Sequence, residues 1–283
     1  MVVTERMRIR GREFEVDVRA GTGAAGAVLL HGFPQSSASW DVVGDALAAR
    51  GVSSWAPNQR GYSPGARPER VADYRLDELV ADVIALCDAL PFDAVHLVGH
   101  DWGAIVAWAT AARHPERVAS LTAVSVPHPA AFARARAEDP VQREKSGYIE
   151  YLVQPGSEDL LAADGAAALR LGFGDVVAPE IADRHLAPLL EPGAMKAALN
   201  WYRAIGEDWA RVPPVAVAST LVWGAGDIAV ARSGVDLCAE FVHADLTVVA
   251  LEDKGHWLPE EAPDELTAAI LARTGIAGPS PGS

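Results

Sequence analysis

The sequence predicts an α/β fold: a mostly parallel sheet with helices on both faces and a helical segment inserted late in the strand order. Three observations carry this expectation. Short apolar runs alternate with amphipathic stretches between residues 27 and 124, the rhythm of strands buried on both faces by crossover helices. That rhythm breaks at Pro127-His128-Pro129, and the chain turns Ala- and Leu-rich as far as about residue 211. Strand character then returns twice before the end.

Residues 4–19 form two alternating segments about Gly11, the pattern of a hairpin at a sheet edge. Next comes Gly21-x-Gly23-x-x-Gly26, formally a dinucleotide-binding fingerprint. Such a loop needs a strand before it and a helix after it, so that phosphate meets a helix N-terminus. Here the glycines lead into Ala27-Val28-Leu29-Leu30, a buried strand, so they are expected to form a flexible turn and no cofactor is assigned to them. Helices are expected at 40–50, 76–90 and 102–113, and strands at 52–56, 94–98 and 118–124. The segment 130–211 is helical, interrupted at Pro155-Gly156 and Pro192-Gly193. Strands at 220–223 and 246–249 come next, then a helix at 263–273 with its proline in the first turn. Two units result: a core of 1–129 with 212–283, and a helical cap of 130–211.

Composition narrows the class of function. The chain has 283 residues, half of them hydrophobic, enough for one large core with an inserted subdomain. A formal net charge of -14 repels phosphate backbones and anionic lipid, so neither nucleic acid nor membrane is expected as a partner. Cys87 and Cys238 both sit in apolar stretches, which suits a reducing compartment better than a disulfide scaffold. No apolar leader follows the charged N-terminus and no apolar run is long enough to span a bilayer, so a cytoplasmic protein is expected. Residues 278–283 read as a frayed tail.

The most informative segment is Val95-His96-Leu97-Val98-Gly99-His100-Asp101-Trp102-Gly103-Ala104. A strand runs into Gly-x-Asp-x-Gly and straight on into a helix, the setting of a nucleophile elbow, whose usual central residue is Ser. The turn lifts Asp101 over the carboxyl ends of the strands, where open α/β sheets bind ligands. The helix N-terminus favours its ionised, nucleophilic form. Asp is also an ordinary helix N-cap; the paired glycines, and the histidine and second acid later in the chain, argue for more. His96 and His100 lie on a strand and its turn with no third ligand near, so zinc is not expected.

A carboxylate that attacks leaves an ester, and opening that ester with water needs a general base. His256, in Lys254-Gly255-His256-Trp257 after the last strand, is the candidate, with Asp227 of Gly224-Ala225-Gly226-Asp227 to orient it. The order Asp101, Asp227, His256 is the nucleophile, acid, histidine order of the α/β-hydrolases. The oxyanion needs two backbone N–H groups. One is expected from Trp102 and the other from Phe33, in His31-Gly32-Phe33-Pro34 after an early strand.

Over nearly its whole length the sequence resembles the epoxide hydrolases of the α/β-hydrolase superfamily. His31-Gly32-Phe33-Pro34 is similar to that family's oxyanion loop, in which the X-Pro bond is typically cis. Gly99-His100-Asp101-Trp102-Gly103 resembles its nucleophile turn, a pattern dehalogenases share. Ser146-Gly147-Tyr148-Ile149-Glu150-Tyr151 resembles the first cap segment and Asn200-Trp201-Tyr202-Arg203 the second. The resemblance implies that Tyr148 and Tyr202 donate to the epoxide oxygen, with Tyr151 open as the alternative to Tyr148. It implies a substrate pocket that includes His31, Pro34, Trp201 and Tyr151. Where the family often has Asp-x-Arg-Gly-Tyr-Gly, this chain has Asn58-Gln59-Arg60-Gly61-Tyr62-Ser63, expected to support the site rather than do chemistry.

The expected reaction converts a small-molecule epoxide to a 1,2-diol through an ester on Asp101, with no metal or organic cofactor. A homodimer is compatible with the sequence. A haloalkane dehalogenase is the nearest rival, since Trp102 could donate its indole N–H to a halide and Trp201 could supply the second donor. A fluoroacetate-type dehalogenase would want arginines after the nucleophile, where Trp102 and Ile105 stand. An esterase is disfavoured because a carboxylate attacking an ester gives an anhydride. A non-catalytic binding protein would have no need of Asp101, Asp227 and His256 together.

Overall fold

The computed structural model describes residues 1–275, so the tail expected at 278–283 lies outside the described residues. The chain opens on a hairpin, β1 (Val3–Ile9) and β2 (Arg12–Arg19), turning through Arg10 and Gly11, both at positive φ. Then come β3 (Gly26–Leu30), β4 (Ser53–Pro57), β5 (Val95–His100), β6 (Val118–Val124), β7 (Ser219–Gly224) and β8 (Leu246–Leu251). They form one eight-stranded sheet ordered β1-β2-β4-β3-β5-β6-β7-β8. Only β1–β2 and β2–β4 pair antiparallel; the other neighbours are parallel.

Helices α1 (Asp41–Ala49), α2 (Leu76–Asp88) and α3 (Trp102–Arg113) connect the first parallel strands. Between β6 and β7 lie α4 (Pro129–Glu138), α5 (Pro140–Lys145), α6 (Tyr148–Leu152), α7 (Ser157–Phe173), α8 (Pro179–Leu189) and α9 (Ala194–Arg203). α10 (Arg232–Leu237), α11 (Leu258–Glu261) and α12 (Pro263–Thr274) come after β7. The Pro-Gly pairs at 155–156 and 192–193 fall between helices, where Gly156 and Gly193 take positive φ. α7 is two helices joined at 163–166, where Asp164 and Ala166 leave the helical region.

Strand alternation explains the layers. Ala27, Leu29, Val98, Val124 and Val222 pack with Val43 and Leu47 of α1 and Leu266 and Ile270 of α12. The intervening Val28, Leu30, Leu97 and Leu121 belong to the cluster of α2 and α3, with Leu79, Val83 and Val106. Both sheet faces are therefore apolar, and each large aliphatic side chain so buried contributes about 1.5–3 kcal/mol.

The helix at 102–113 and the strand at 118–124 stand where the sequence put them. β5 extends to His100, two residues beyond the expected strand, so no slack separates it from the turn at Asp101. The expected flexible turn at Gly21–Gly26 is instead pinned. Gly23 N–H donates to Gly51 O at 2.8 Å, and a Cβ at Gly21 would lie 2.4 Å from the Gly51 carbonyl carbon. The glycines let two backbones touch, and a strand follows them, not a helix. No described helix is long and apolar enough to cross a membrane. Cys87 and Cys238 are free and buried.

Candidate active site

β3 and β5 are neighbours at the centre of the sheet although β4 lies between them in sequence. Strand order reverses there, and the loops leaving the two carboxyl ends meet. The loop after β3 carries Phe33, whose bond to Pro34 is cis. The turn after β5 carries Asp101 at φ 52°, ψ −119°, a conformation costing about 1–3 kcal/mol that close packing must hold. Gly103 permits that packing, since a Cβ there would sit 2.1 Å from Leu30 O. So does Gly32, whose Cβ would strike the Asp101 side chain at 2.4 Å.

Asp101 occupies the N-cap position of α3 but makes no side-chain capping bond. Its Oδ1 instead accepts the Phe33 N–H at 2.8 Å, and the Trp102 N–H bonds the same carboxylate. Its Oδ2 faces His256 Nε2 at 3.7 Å. On the far side of the ring, His256 Nδ1 lies 2.9 and 3.0 Å from the two oxygens of Asp227. Asp227 also accepts the N–H groups of Ala229 and Val230 at 2.7 and 3.0 Å. All three side chains are buried.

Residues 28–263 match the family described as alpha/beta hydrolase fold. Epoxide hydrolase A of Mycobacterium tuberculosis is 34% identical, over 90% of this chain and 92% of its own length. This chain is an α/β-hydrolase of the epoxide hydrolase family. Solved structures agree. One, described as novel epoxide hydrolases from metagenomes of hot environments, superimposes with a TM-score of 0.87 at 29% identity, covering 98% of this chain and 99% of its own. Epoxide hydrolase A from Mycobacterium thermoresistibile gives 0.83 at 26% identity, covering 96% and 98%.

Burial and charge oppose one another in this hydrolase. Burial disfavours the ionised form of Asp101, yet hydrogen bonding and charge from His256 outweigh it and hold the carboxyl below the usual range. Asp227 is held down the same way. Burial pulls against a charge on His256, but Asp227 and Asp101 together push its pKa up to about 10. Two carboxylates thus flank the imidazole and favour its charged form. Burial raises the phenols of Tyr148 and Tyr202, with the negative charge of Asp101 adding to it, so both stay protonated O–H donors.

A cavity of about 330 Å³ opens beside Asp101 and His256, lined by Phe33, Pro34, Tyr148, Tyr151 and Tyr202 among others. The Tyr148 and Tyr202 rings face each other edge-on with centroids 6.4 Å apart. Tyr202 also stands perpendicular to Trp102 at 5.0 Å. Tyr148 and Tyr151 both line this cavity, but of the two only Tyr148 also lines the smaller space that shares Asp101 with it.

Two residues expected in the substrate pocket are elsewhere. His31 is fully buried and holds backbone: its Nε2 accepts Gln59 N–H at 3.1 Å, and Gln59 donates to His31 O at 2.6 Å. Trp201 donates its indole N–H to Arg60 O at 2.8 Å and packs against Trp102. The Arg60 loop is tied to its neighbours: Arg60 grips Asp82 at 2.6 and 2.7 Å, and Tyr62 packs edge-on against His31.

Other residues bearing on the site gave no sequence signal. Glu261 accepts the N–H groups of Gly255 and Trp257 at 2.7 and 2.8 Å, the two neighbours of His256. The His256 carbonyl accepts from His100 Nε2 at 2.8 Å and from Ser125 Oγ at 3.0 Å. Gln142 of α5, fully buried, donates to Ala229 O and accepts from Ala231 N–H, both at 2.8 Å, fixing the loop that holds Asp227.

Proposed function

We propose that the chain hydrolyses an epoxide to a vicinal diol through an ester on Asp101, with Asp101, His256 and Asp227 as catalytic triad and 130–211 as a cap that contributes Tyr148 and Tyr202. One observation carries the reading. The two oxygens of a single buried carboxylate are distinguished, Oδ1 by the Phe33 N–H and Oδ2 by His256 facing it, the Trp102 N–H bonds the same carboxylate, and two phenols stand across the cavity.

In the first step Oδ2 bonds to an epoxide carbon as the C–O bond of the ring breaks, and a phenol protonates the alkoxide. Two positioned O–H donors stabilise the charge where it develops. Esterification neutralises Asp101 and removes one of the two carboxylates that raise His256, so the imidazolium sheds its proton, replacing the one the phenol gave. Neutral His256 is then a competent base. It takes a proton from water, hydroxide adds to the carbonyl carbon of Asp101, and Phe33 and Trp102 hold the oxyanion on Oδ1. Collapse expels the diol, whose oxygen takes the remaining water proton.

Neither position considered for a dehalogenase's second halide donor is free to serve. Phe33 offers only a hydrocarbon side chain, and the Trp201 N–H is already bonded to Arg60 O.

The test is to trap the ester. His256→Gln incubated with styrene oxide should gain the mass of one whole epoxide, and the double variant with Asp101→Asn should gain nothing. An adduct that survives Asp101→Asn would place the nucleophile elsewhere, and an alkyl-group gain from a haloalkane would move the assignment to dehalogenation.

A further inference from the structure

Space around Asp101 is unequal on its two sides. The cavity of about 330 Å³ extends one way, between Leu152, Leu161, Leu169, Ile228 and Trp257. The other way lies a space of about 30 Å³, lined by Ile105, Val126, Phe132, Ile205, Trp209 and Val230. Asp101, Tyr148 and Tyr202 line both, so nucleophile and oxygen donors stand at the junction.

Aromatic rings pack behind the small side. Trp209 rests edge-on against Trp102 at 4.5 Å, and Trp102 packs against Trp201 and Tyr202 as well. The large side reaches solvent past Tyr151 and Ile228, both exposed. Apart from Asp101 and His256, no side chain lining either space is charged.

Resting on the epoxide assignment, we propose that the substrate is an uncharged epoxide bearing one bulky apolar group and nothing larger than methyl on its other carbon. The two phenols fix the ring oxygen at the junction, so the two ring carbons are directed to opposite sides. A space of about 30 Å³ holds a group of water or methyl size. About 330 Å³ takes an aryl or medium alkyl group. An ionised group on either side would lose its hydration and find no partner. A second bulky substituent would have to displace the wall built on Trp102.

The experiment is a substrate series on the wild-type protein: styrene oxide, trans-β-methylstyrene oxide and trans-stilbene oxide, which place hydrogen, methyl and phenyl on the second carbon. The first two should be turned over with kcat/KM within about tenfold of each other, and stilbene oxide about 100-fold or more below them. Ile205→Ala, which enlarges the small side, should raise the stilbene oxide to styrene oxide ratio at least tenfold. Stilbene oxide turned over as well as styrene oxide, or a ratio unmoved by Ile205→Ala, overturns the proposal while leaving epoxide hydrolysis standing. A folded protein that hydrolyses none of the three, and whose His256→Gln variant takes up none, overturns the epoxide reading and this inference with it.

Discussion

His256 lies between Asp227 at 2.9 Å and Asp101 at 3.7 Å, and its charge is the sum of what those two carboxylates do to it. Burial alone would lower its pKa, as it does for His31 and His100, both at about 4. The carboxylates reverse the sign and take it to about 10. A histidine whose folded pKa exceeds its unfolded value contributes stability that is complete below the unfolded value, near 6.5, and is lost as pH rises through about 10. In Asp101→Asn the His256 imidazole should titrate lower than in wild type, by NMR, and the loss of thermal stability between neutral pH and about 10 should be smaller. An unchanged titration would show that Asp227 alone sets the base and that esterification does not switch it. At this scale Asp101, Asp227 and His256 were legible because each sits in a short Gly-bearing loop just past a strand. His31 and Trp201 were misread because position in a motif does not reveal side-chain direction: one ring turns to Gln59, the other to Arg60.

α11 is a single turn, yet it sets the loop of the base. Glu261 at its end reaches back to the N–H groups on both sides of His256. Its role is positioning, and the second chemical step should feel it most. Glu261→Gln should form the ester on Asp101 within about twofold of the wild-type single-turnover rate and hydrolyse it about tenfold or more slowly. Equal slowing of both steps would indicate general damage to the fold instead. Such a residue is hard to find from sequence because it acts through backbone amides, which any sequence supplies. Gln142 is hidden for the same reason, since it clamps Ala229 and Ala231 through main-chain atoms. The central strands β3, β5, β6 and β7 and α3, by contrast, were legible to within a residue or two, because a strand covered on both faces and the helix after it leave apolar runs.

For the molecule as a whole, the helical segment between β6 and β7 shares the core of the sheet. One apolar cluster runs from Leu97 through Trp102 to Leu199, Leu189 and Leu186. Polar ties cross as well: Trp257 to Gly172 O at 3.0 Å, Arg184 to Asp41 at 2.7 Å, His185 to Glu260 at 3.1 Å and Lys145 to Asp227 O at 2.5 Å. Residues 130–211 expressed alone should show little helix by circular dichroism, and the intact chain should lose far-UV signal and tryptophan fluorescence in one coincident transition. A folded fragment, or two separated transitions, would make the segment an independent domain. The sequence showed that this region is helical and where it breaks. It could not show which faces turn toward Asp101, because periodicity is ambiguous in an Ala-rich stretch bordered on several sides.

The unequal surroundings of the two Asp101 oxygens give them unequal lifetimes. On the proposed mechanism Oδ1, held by the Phe33 amide, stays with the protein through every cycle. Oδ2 departs in the diol when the ester opens at the acyl carbon, and an oxygen from water takes its place facing His256. The nucleophile is therefore half fixture and half consumable: each product molecule carries away an atom that belonged to the protein, and solvent rebuilds the side chain before the next substrate arrives.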